Sequence, residues 1–498
     1  MTHSLSSGAG FSLRGASAPS GRQPSNGRQA AFKGRRGLEA RPTLWLLLVF
    51  ASFLHAESAD QIWSAGHLVT MDAQHRVIEN GAVAVRGANI IALGPRAEIE
   101  AKYTAPAHLD RPDAILMPGL INTHTHAAMS LLRGIADDRT LQDWLEHYIF
   151  PAEKKNVTPQ FVFDGTRLAC LEMMLSGTTT FTDMYYFEDR VAEAAKEAGL
   201  RGVVGDTVIA FPSPDAKTPD DALAWTEQFL RRYRDDPLIV PAVAVHSPYL
   251  ASAETLRKAR ALANRYNAPL LIHVSETKRE NEDSEKAHGM SPAKYLGSLG
   301  FLSGRTVAAH GVWLSDDDIA LFAAHGTGVA HCPGSNMKLA SGVAPVTKML
   351  AAGVAVGLGT DGPAGSNNDF DLMRDMYLAA VVQKVFTANP QALPAPQAIE
   401  LATMGSARVL GMQSIIGSLE PGKRADMITL RLDRPHAVPM YDVYSQIVYA
   451  LTGSDVEDVM VNGKVVVRSG VSTTLDATRV MSIAREYQSR ISSSLSAR

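Results

Sequence analysis

The sequence has little cysteine and no excess of charge of either sign. Cys170 and Cys332 are its only cysteines and lie far apart, which excludes a disulfide framework and a thiolate zinc site. The 48 basic and 51 acidic residues give a formal charge of −3, so the composition predicts no nucleic-acid partner. Any metal ion must therefore be bound by histidine and carboxylate side chains.

The amino-terminal part lacks an apolar run long enough for a membrane span. Residues 44–54 are apolar but well short of the roughly 20 residues of a spanning helix, so no stable membrane anchor is predicted. They follow a Ser- and Arg-rich segment, residues 1–41, which we expect to be disordered. The pattern in residues 1–60 thus predicts a disordered basic segment followed by a signal peptide. A signal peptide in turn predicts export to the periplasm. The alternative is a mis-assigned start codon, which predicts a cytoplasmic protein.

Short β-rich runs with turn residues lie at both ends of the remaining chain, in residues 61–117 and 413–475. We expect the two halves to form one small composite β-sandwich, followed by a carboxyl-terminal helix in residues 476–498. Residues 118–412 alternate β-rich runs with helical stretches, which predicts an α/β protein with a (β/α)8 TIM-type barrel. The eight predicted barrel strands are residues 115–122, 178–183, 201–205, 239–245, 269–273, 307–310, 328–331 and 354–361.

Polar residues at the strand ends predict a metal site, because the catalytic groups of a TIM barrel sit at the carboxyl ends of its strands. The first predicted strand is followed by His124 and His126, whose alternation places both imidazoles on one face. His273 ends the fifth strand and Asp361 ends the eighth. Together they offer nitrogen and oxygen ligands with one position left for water, the pattern of a catalytic site. We therefore expect one divalent ion; zinc fits, and ferrous iron would too.

Three side chains near this site can move protons. A bound divalent ion lowers the pKa of water from 15.7 to about 7, and Asp361 can take the proton released. Glu276 follows the ligand His273 by three residues and is placed to protonate a substrate ring nitrogen. His310, at the end of the sixth strand, would orient the water or polarise the attacked centre. The alternatives are a surface charge for Glu276 and hydrogen-bonded support of a metal ligand for His310.

This arrangement of ligands resembles the amidohydrolase superfamily over nearly all of the chain from Gln61 onward, in His124, His126, His273, His310 and Asp361. Binuclear members of that superfamily carry a bridging lysine at the end of the fourth strand. Here this strand ends in Val245-His246-Ser247, without lysine, so the resemblance implies a single metal ion.

Longer motifs are similar to those of methylthioadenosine/S-adenosylhomocysteine deaminases and their triazine-hydrolase relatives. These motifs are Pro118–His126, Met129–Asp138, Ser335–Gly342 and Gly359–Gly362. The resemblance implies that Glu153 binds the ribose hydroxyls, since a carboxylate accepts hydrogen bonds from two hydroxyls at once. It also implies that Trp144 packs against the nucleoside and that His246 contacts the purine. A helix-start charge for Glu153 and a loop anchor for Trp144 are the alternatives.

One departure from the family concerns the third strand, after which the homocysteine-binding pattern uses arginine. Residues 205–217 contain no arginine, and Lys217 would supply only a point charge. The predicted function is hydrolytic deamination of a small molecule, namely methylthioadenosine, adenosine or a related aminated heterocycle. The alternatives are hydrolysis of another C–N or C–Cl bond, as in triazines or amides, and a non-catalytic scaffold. Relatives commonly associate, so a homo-oligomer is also considered.

Overall fold

The computed structural model describes residues 56–496, with side chains up to residue 493. The predicted basic segment and the apolar run 44–54 lie outside these residues. No helix within residues 56–496 combines the length and the apolar character needed to cross a membrane.

The strands fall into three groups along the chain. The first group is β1 (Glu57–Ser58), β2 (Gln61–Val69), β3 (Val77–Arg86), β4 (Asn89–Pro95), β5 (Tyr103–Thr104) and β6 (Ala107–Pro118). The second is β7 (Leu120–Thr125), β8 (Thr178–Tyr185), β9 (Arg201–Val208), β10 (Ile239–Pro241), β11 (Val243–Val245), β12 (Leu270–Val274), β13 (Thr306–His310), β14 (Gly328–His331) and β15 (Val356–Leu358). The third is β16 (Met427–Arg431), β17 (Val456–Val461), β18 (Lys464–Arg468) and β19 (Val471–Ser472).

The second group forms a parallel barrel. Its strands pair in the order β7-β8-β9-β11-β12-β13-β14-β15, and β10 also pairs with β9, so β10 and β11 are two parts of the fourth strand. The last strand lies beside the first, and the Asp361 N–H donates to the His124 carbonyl at 3.0 Å. The predicted (β/α)8 barrel is confirmed.

The first barrel strand begins later than predicted. Residues 107–118 belong to β6 of another sheet, and the chain enters the barrel at Gly119. A Cβ at Gly119 would lie 2.2 Å from the Thr179 side chain, so only glycine allows this close passage. This first barrel strand, β7, ends at Thr125, which lies between His124 and His126.

Helices surround the barrel, and α7 shows how the sequence sets their bounds. The Ser252 side chain accepts a hydrogen bond from the Thr255 N–H at its start, and Asn267 ends it in the left-handed conformation. The helices are α1 (Arg96–Lys102), α2 (Leu141–Trp144), α3 (Phe150–Asn156), α4 (Pro159–Leu175), α5 (Glu188–Ala198), α6 (Pro219–Arg232), α7 (Ala253–Tyr266), α8 (Lys278–His288), α9 (Pro292–Ser298), α10 (Asp316–His325), α11 (Pro333–Lys338), α12 (Val346–Ala351), α13 (Leu372–Phe386), α14 (Ala395–Glu400), α15 (Ser406–Val409), α16 (Val443–Tyr449) and α17 (Ala477–Ser496).

Strands from both ends of the chain share one further sheet, in the order β19-β18-β17-β16-β6-β2-β3-β4. The long strand β6 joins the two halves, because it pairs in parallel with β2 and antiparallel with β16. The eight strands are thus one hydrogen-bonded sheet, and the predicted composite character is confirmed. Its core contains large apolar side chains from both halves, among them Trp63, Leu68, Leu116, Met427 and Met460.

Candidate metal and substrate site

Four side chains from the ends of the first, fifth and eighth barrel strands meet at the carboxyl end of the barrel. Asp361 Oδ1 lies 3.4 Å from His124 Nε2 and 3.3 Å from His126 Nε2. His273 Nε2 lies 3.3 Å from His126 Nε2. His124 Nε2 is buried and has no hydrogen-bond partner within residues 56–496. The four predicted ligands therefore form one cluster.

Backbone carbonyls set the proton positions on two of these rings. Met184 O lies 2.6 Å from His126 Nδ1, and His246 O lies 2.6 Å from His273 Nδ1. A carbonyl only accepts, so each Nδ1 carries the proton and each Nε2 offers a lone pair to the cluster. Burial also lowers the pKa of His124 to about 4. Imidazole nitrogen lone pairs that converge beside a carboxylate are suitable ligands for one divalent cation.

Asp361 is held by hydrogen bonds to both of its oxygens. Oδ1 accepts from the Gly362 N–H at 2.7 Å, and Oδ2 accepts from Ser335 Oγ at 2.6 Å. Burial raises the pKa of Asp361, but the adjacent His124 imidazole, together with His310 and His126, outweighs it and holds this pKa well below its usual range. The carboxyl is therefore ionised, as a metal ligand must be.

Glu276 and His310 lie next to the cluster. Glu276 is only 4% exposed, which excludes a surface charge. Its Oε2 lies 3.7 Å from His310 Nε2, and its buried Oε1 has no hydrogen-bond partner. Burial, followed by the charge of Asp361, raises the pKa of Glu276 well above its usual range, which favours the protonated carboxyl. Glu280 fixes the segment by accepting from the Ser275 and Glu276 N–H groups at 2.9 and 2.7 Å.

The imidazole of His310 is oriented by an amide side chain. Asn336 Oδ1 lies 3.0 Å from His310 Nδ1, so this ring also directs Nε2 toward the cluster. Its ligand atom lies within 4.8 Å of those of His124 and His273. His310 is thus close enough to contact either the ion or a group bound beside it.

A cavity of about 580 Å³, including its opening to solvent, lies in front of the cluster. Residues 141–156 cover it; this segment, which we call the lid, contains α2, a π-helical turn (Leu145–Ile149) and α3. The cavity is lined from the lid by Leu141, Trp144, Leu145, Ile149, Phe150 and Glu153. The lid therefore presents one largely apolar face with a single carboxyl group.

The structure places all three predicted substrate contacts, Trp144, Glu153 and His246, in the cavity wall. Glu153 is 4% exposed and accepts from Tyr185 Oη at 2.7 Å, and burial raises its pKa to about 8. Trp144 Nε1 donates to Ala364 O at 2.7 Å, so this side chain both lines the cavity and anchors the lid. Burial lowers the pKa of His246 to about 3 and leaves it neutral.

Sequence reasoning missed several supporting residues. Tyr185, Tyr186 and Glu280 were not singled out, and no motif marks them because their partners are set by the fold. Ser335 and Asn336 lie inside the quoted motif Ser335–Gly342, which could have identified them. His331 ends β14 but does not line the cavity, and we assign it no role.

A parallel barrel with a cluster of histidine and aspartate ligands at its carboxyl end defines a metal-binding hydrolase barrel. The family model for the amidohydrolase family matches residues 115–466. The chain belongs to the amidohydrolase family, as its motifs predicted, and is a hydrolase acting on carbon–nitrogen bonds.

Three similar proteins illustrate the range of the family. A 5-methylthioadenosine/S-adenosylhomocysteine deaminase from Thermodesulfovibrio yellowstonii is 48% identical over 86% of this chain and 98% of its own length. The crystal structure of an adenosine deaminase from Xanthomonas campestris with bound zinc has a TM-score of 0.86 and 38% identity, covering 88% of this chain and 100% of that one. An atrazine chlorohydrolase from Arthrobacter aurescens complexed with zinc has a TM-score of 0.80 and 26% identity, covering 86% and 99%.

Proposed function

We propose that this protein is a metal-dependent hydrolytic deaminase of an adenosine-like nucleoside, replacing a ring amine by oxygen from water and releasing ammonia. The observation that carries the proposal is the position of Glu276 beside the ligand cluster, in a cavity whose lid contributes Glu153. A purine ring can lie at the cluster while its ribose reaches Glu153. The similar proteins named as methylthioadenosine/S-adenosylhomocysteine deaminase and adenosine deaminase support this substrate class.

The metal ligands of this proposal are His124, His126, His273 and Asp361. Zinc is favoured, because two similar solved structures contain it and because imidazole and carboxylate ligands suit it. When bound, the ion supplies hydroxide at neutral pH by lowering the pKa of water.

The protein side chains carry the protons of the reaction. Glu276 donates its proton to the ring nitrogen next to the amine-bearing carbon, which makes that carbon a better electrophile. Asp361 accepts the proton released by the attacking water. Because His310 Nδ1 donates to Asn336 Oδ1, His310 Nε2 is free to accept a hydrogen bond and orient that water. The amine receives that proton from Asp361 and leaves as ammonia, and the proton of the added hydroxyl group returns to Glu276.

The lid binds the nucleoside and keeps bulk water out. Glu153 accepts hydrogen bonds from the two ribose hydroxyls, and Trp144 packs against the base or the sugar. His246 is neutral and contacts the purine. The apolar side chains of the lid exclude water from the reacting atoms, which strengthens the electrostatic interactions there.

The decisive assay measures ammonia released from adenosine, methylthioadenosine, a triazine and a simple amide by the zinc-loaded protein. We expect ammonia from the nucleosides. Glu276→Gln should lower that rate by about 10²- to 10⁴-fold, the range for a lost general acid. Glu282→Gln is the matched control, because Glu282 is exposed on helix α8, which begins just after Glu276, and it should retain full activity. Chloride or alkylamine release from the triazine with no ammonia from nucleosides would instead establish the rival hydrolase.

We propose further that the protein is exported, on the strength of the signal-like residues 1–60. Mass analysis of the mature amino terminus tests this, and retention of residues before Leu44 would contradict it. Self-association stays a prediction, which a size measurement on the zinc-loaded protein checks.

A further inference from the structure

The similar deaminase from Thermodesulfovibrio yellowstonii is named for two nucleosides that differ at the 5′ end. Methylthioadenosine ends in an uncharged methylthio group, whereas S-adenosylhomocysteine ends in an amino acid with a carboxylate. We propose that this cavity accepts nucleosides with a small uncharged 5′ group and has no site for that carboxylate. The inference rests on the proposed function and specifies its substrate class.

Much of the cavity lining is apolar or aromatic. Leu141, Leu145 and Phe150 from the lid line it together with Tyr249, which is 48% exposed. Phe211 continues this surface, with its ring centroid 5.2 Å from that of Phe150. Such a surface suits a methylthio group, since sulfur and methyl groups pack well against aromatic rings.

Positive charge is lacking where a carboxylate would need it. No lysine or arginine among residues 56–496 lines the cavity, and the charged side chains that do line it are carboxyls or histidines. Proteins bind carboxylates with arginine forks, lysine or convergent N–H groups. Two basic residues near the lid already have partners: Lys338 Nζ contacts Asp137 Oδ1 at 2.7 Å, and Arg133 pairs with Glu172.

The segment after β9 supplies no basic side chain to the cavity, because Lys217 is exposed and does not line it. Asp215 in this segment accepts from Ser213 Oγ and the Phe187 N–H. Asp206 lies in β9 and is 2% exposed, and burial, followed by the charge of Asp215, raises its pKa well above its usual range. Tyr186 lines the cavity, and burial, followed by the charge of Glu153, raises its pKa. Neither the two acids nor Tyr186 supplies the positive charge that would bind a substrate carboxylate.

The experiment compares kcat/KM of the zinc-loaded full chain for three nucleosides. They are methylthioadenosine, S-adenosylhomocysteine and the decarboxylated analogue 5′-(3-aminopropylthio)-5′-deoxyadenosine. We expect methylthioadenosine to exceed S-adenosylhomocysteine by at least about tenfold, the lower bound for a charged group left without its partner. We also expect the decarboxylated analogue to react at least as well as S-adenosylhomocysteine. The inference is overturned if kcat/KM for methylthioadenosine exceeds that for S-adenosylhomocysteine by less than this factor. It is also overturned if kcat/KM for the decarboxylated analogue is lower than that for S-adenosylhomocysteine.

Lys217→Ala provides a second and independent readout. If Lys217 does not recognise a carboxylate, this substitution leaves kcat/KM unchanged for all three nucleosides. A loss confined to S-adenosylhomocysteine would show that Lys217 binds its carboxylate and would overturn the inference. Failure of the proposed function is distinguishable, because in that case none of the three nucleosides releases ammonia.

Discussion

The metal end of the cavity and the lid are built in different ways. The ligands stand at the ends of paired barrel strands, and backbone carbonyls orient His126 and His273. The lid consists of two short helices joined by a π-helical turn. Its Trp144 donates to Ala364 O, and its Glu153 bonds to Tyr185 and Tyr186. Chemistry is thus placed on the rigid barrel, and substrate selection on a more adaptable segment.

This comparison predicts that changes at the barrel end act on kcat and that changes in the lid act on KM. The largest effect is expected for Asp361→Asn. The amide oxygen can still bind the ion together with three histidines, but it cannot accept a proton, so kcat should fall by at least about 10³-fold. Parallel measurement of metal content and kcat checks this. Near-normal turnover would show that Asp361 does not accept the proton of the attacking water.

Removal of the metal should destabilise the barrel end. An ion at 100 times its Kd stabilises the folded protein by about 2.7 kcal/mol, so a chelator should lower the thermal midpoint and abolish ammonia release. Calorimetry before and after chelation, with zinc restored in a final scan, checks both effects. An unchanged midpoint and full activity after verified metal loss would contradict the ligand assignment.

Glu153→Gln tests the lid side of the comparison. Above pH 8 Glu153 is a carboxylate, which the amide cannot become, so kcat/KM for adenosine measured there should fall by about 10- to 100-fold, mostly through KM. The matched substrate is 2′,3′-dideoxyadenosine, which lacks both hydroxyls and should be unaffected. Glu146→Gln is the control variant, because Glu146 is exposed in the same segment. An equal loss for both nucleosides would exclude ribose binding by Glu153.

The same variant should change the pH dependence of stability. The usual pKa of a glutamate is 4.5, and burial raises the pKa of Glu153 to about 8 in the folded protein. Between these pH values the folded state therefore binds more protons than the unfolded state. The contribution of Glu153 to the free energy of unfolding consequently falls as pH rises from 4.5 to about 8. The slope is at most about 1.4 kcal/mol per pH unit. Because other buried carboxyls such as Glu280 also have raised pKa values, denaturant unfolding of wild type and Glu153→Gln at several pH values should show a slope in both proteins that is steeper in the wild type, by at most this amount.

The smallest effect is expected for Trp144→Phe. The ring is largely retained, but the hydrogen bond from Nε1 to Ala364 O is lost, which is worth about 1 kcal/mol. KM should rise by about fivefold at unchanged kcat. Steady-state kinetics on methylthioadenosine checks this. A fall in kcat with constant KM would show that the lid takes part in the chemical step.

The contrast between barrel and lid also explains what the sequence could predict. The ligands follow from local patterns, because alternation along a strand aligns His124 with His126 and strand ends converge in a barrel. Tyr185 and Glu153 are 32 residues apart, and their contact depends on how the lid packs. The start of the first barrel strand was misplaced because β6 is also rich in apolar residues, and only pairing distinguishes the two.

The anchor of the lid lies three residues beyond Asp361, at the carbonyl of Ala364. Lid position and ligand position are therefore mechanically connected through one short loop. Thermodynamic reciprocity then requires that a nucleoside bound under the lid raises the affinity for the ion by the same factor by which the bound ion raises the affinity for the nucleoside. A bound product analogue should accordingly slow zinc loss to a chelator, and the enzyme should keep its metal best when it is occupied.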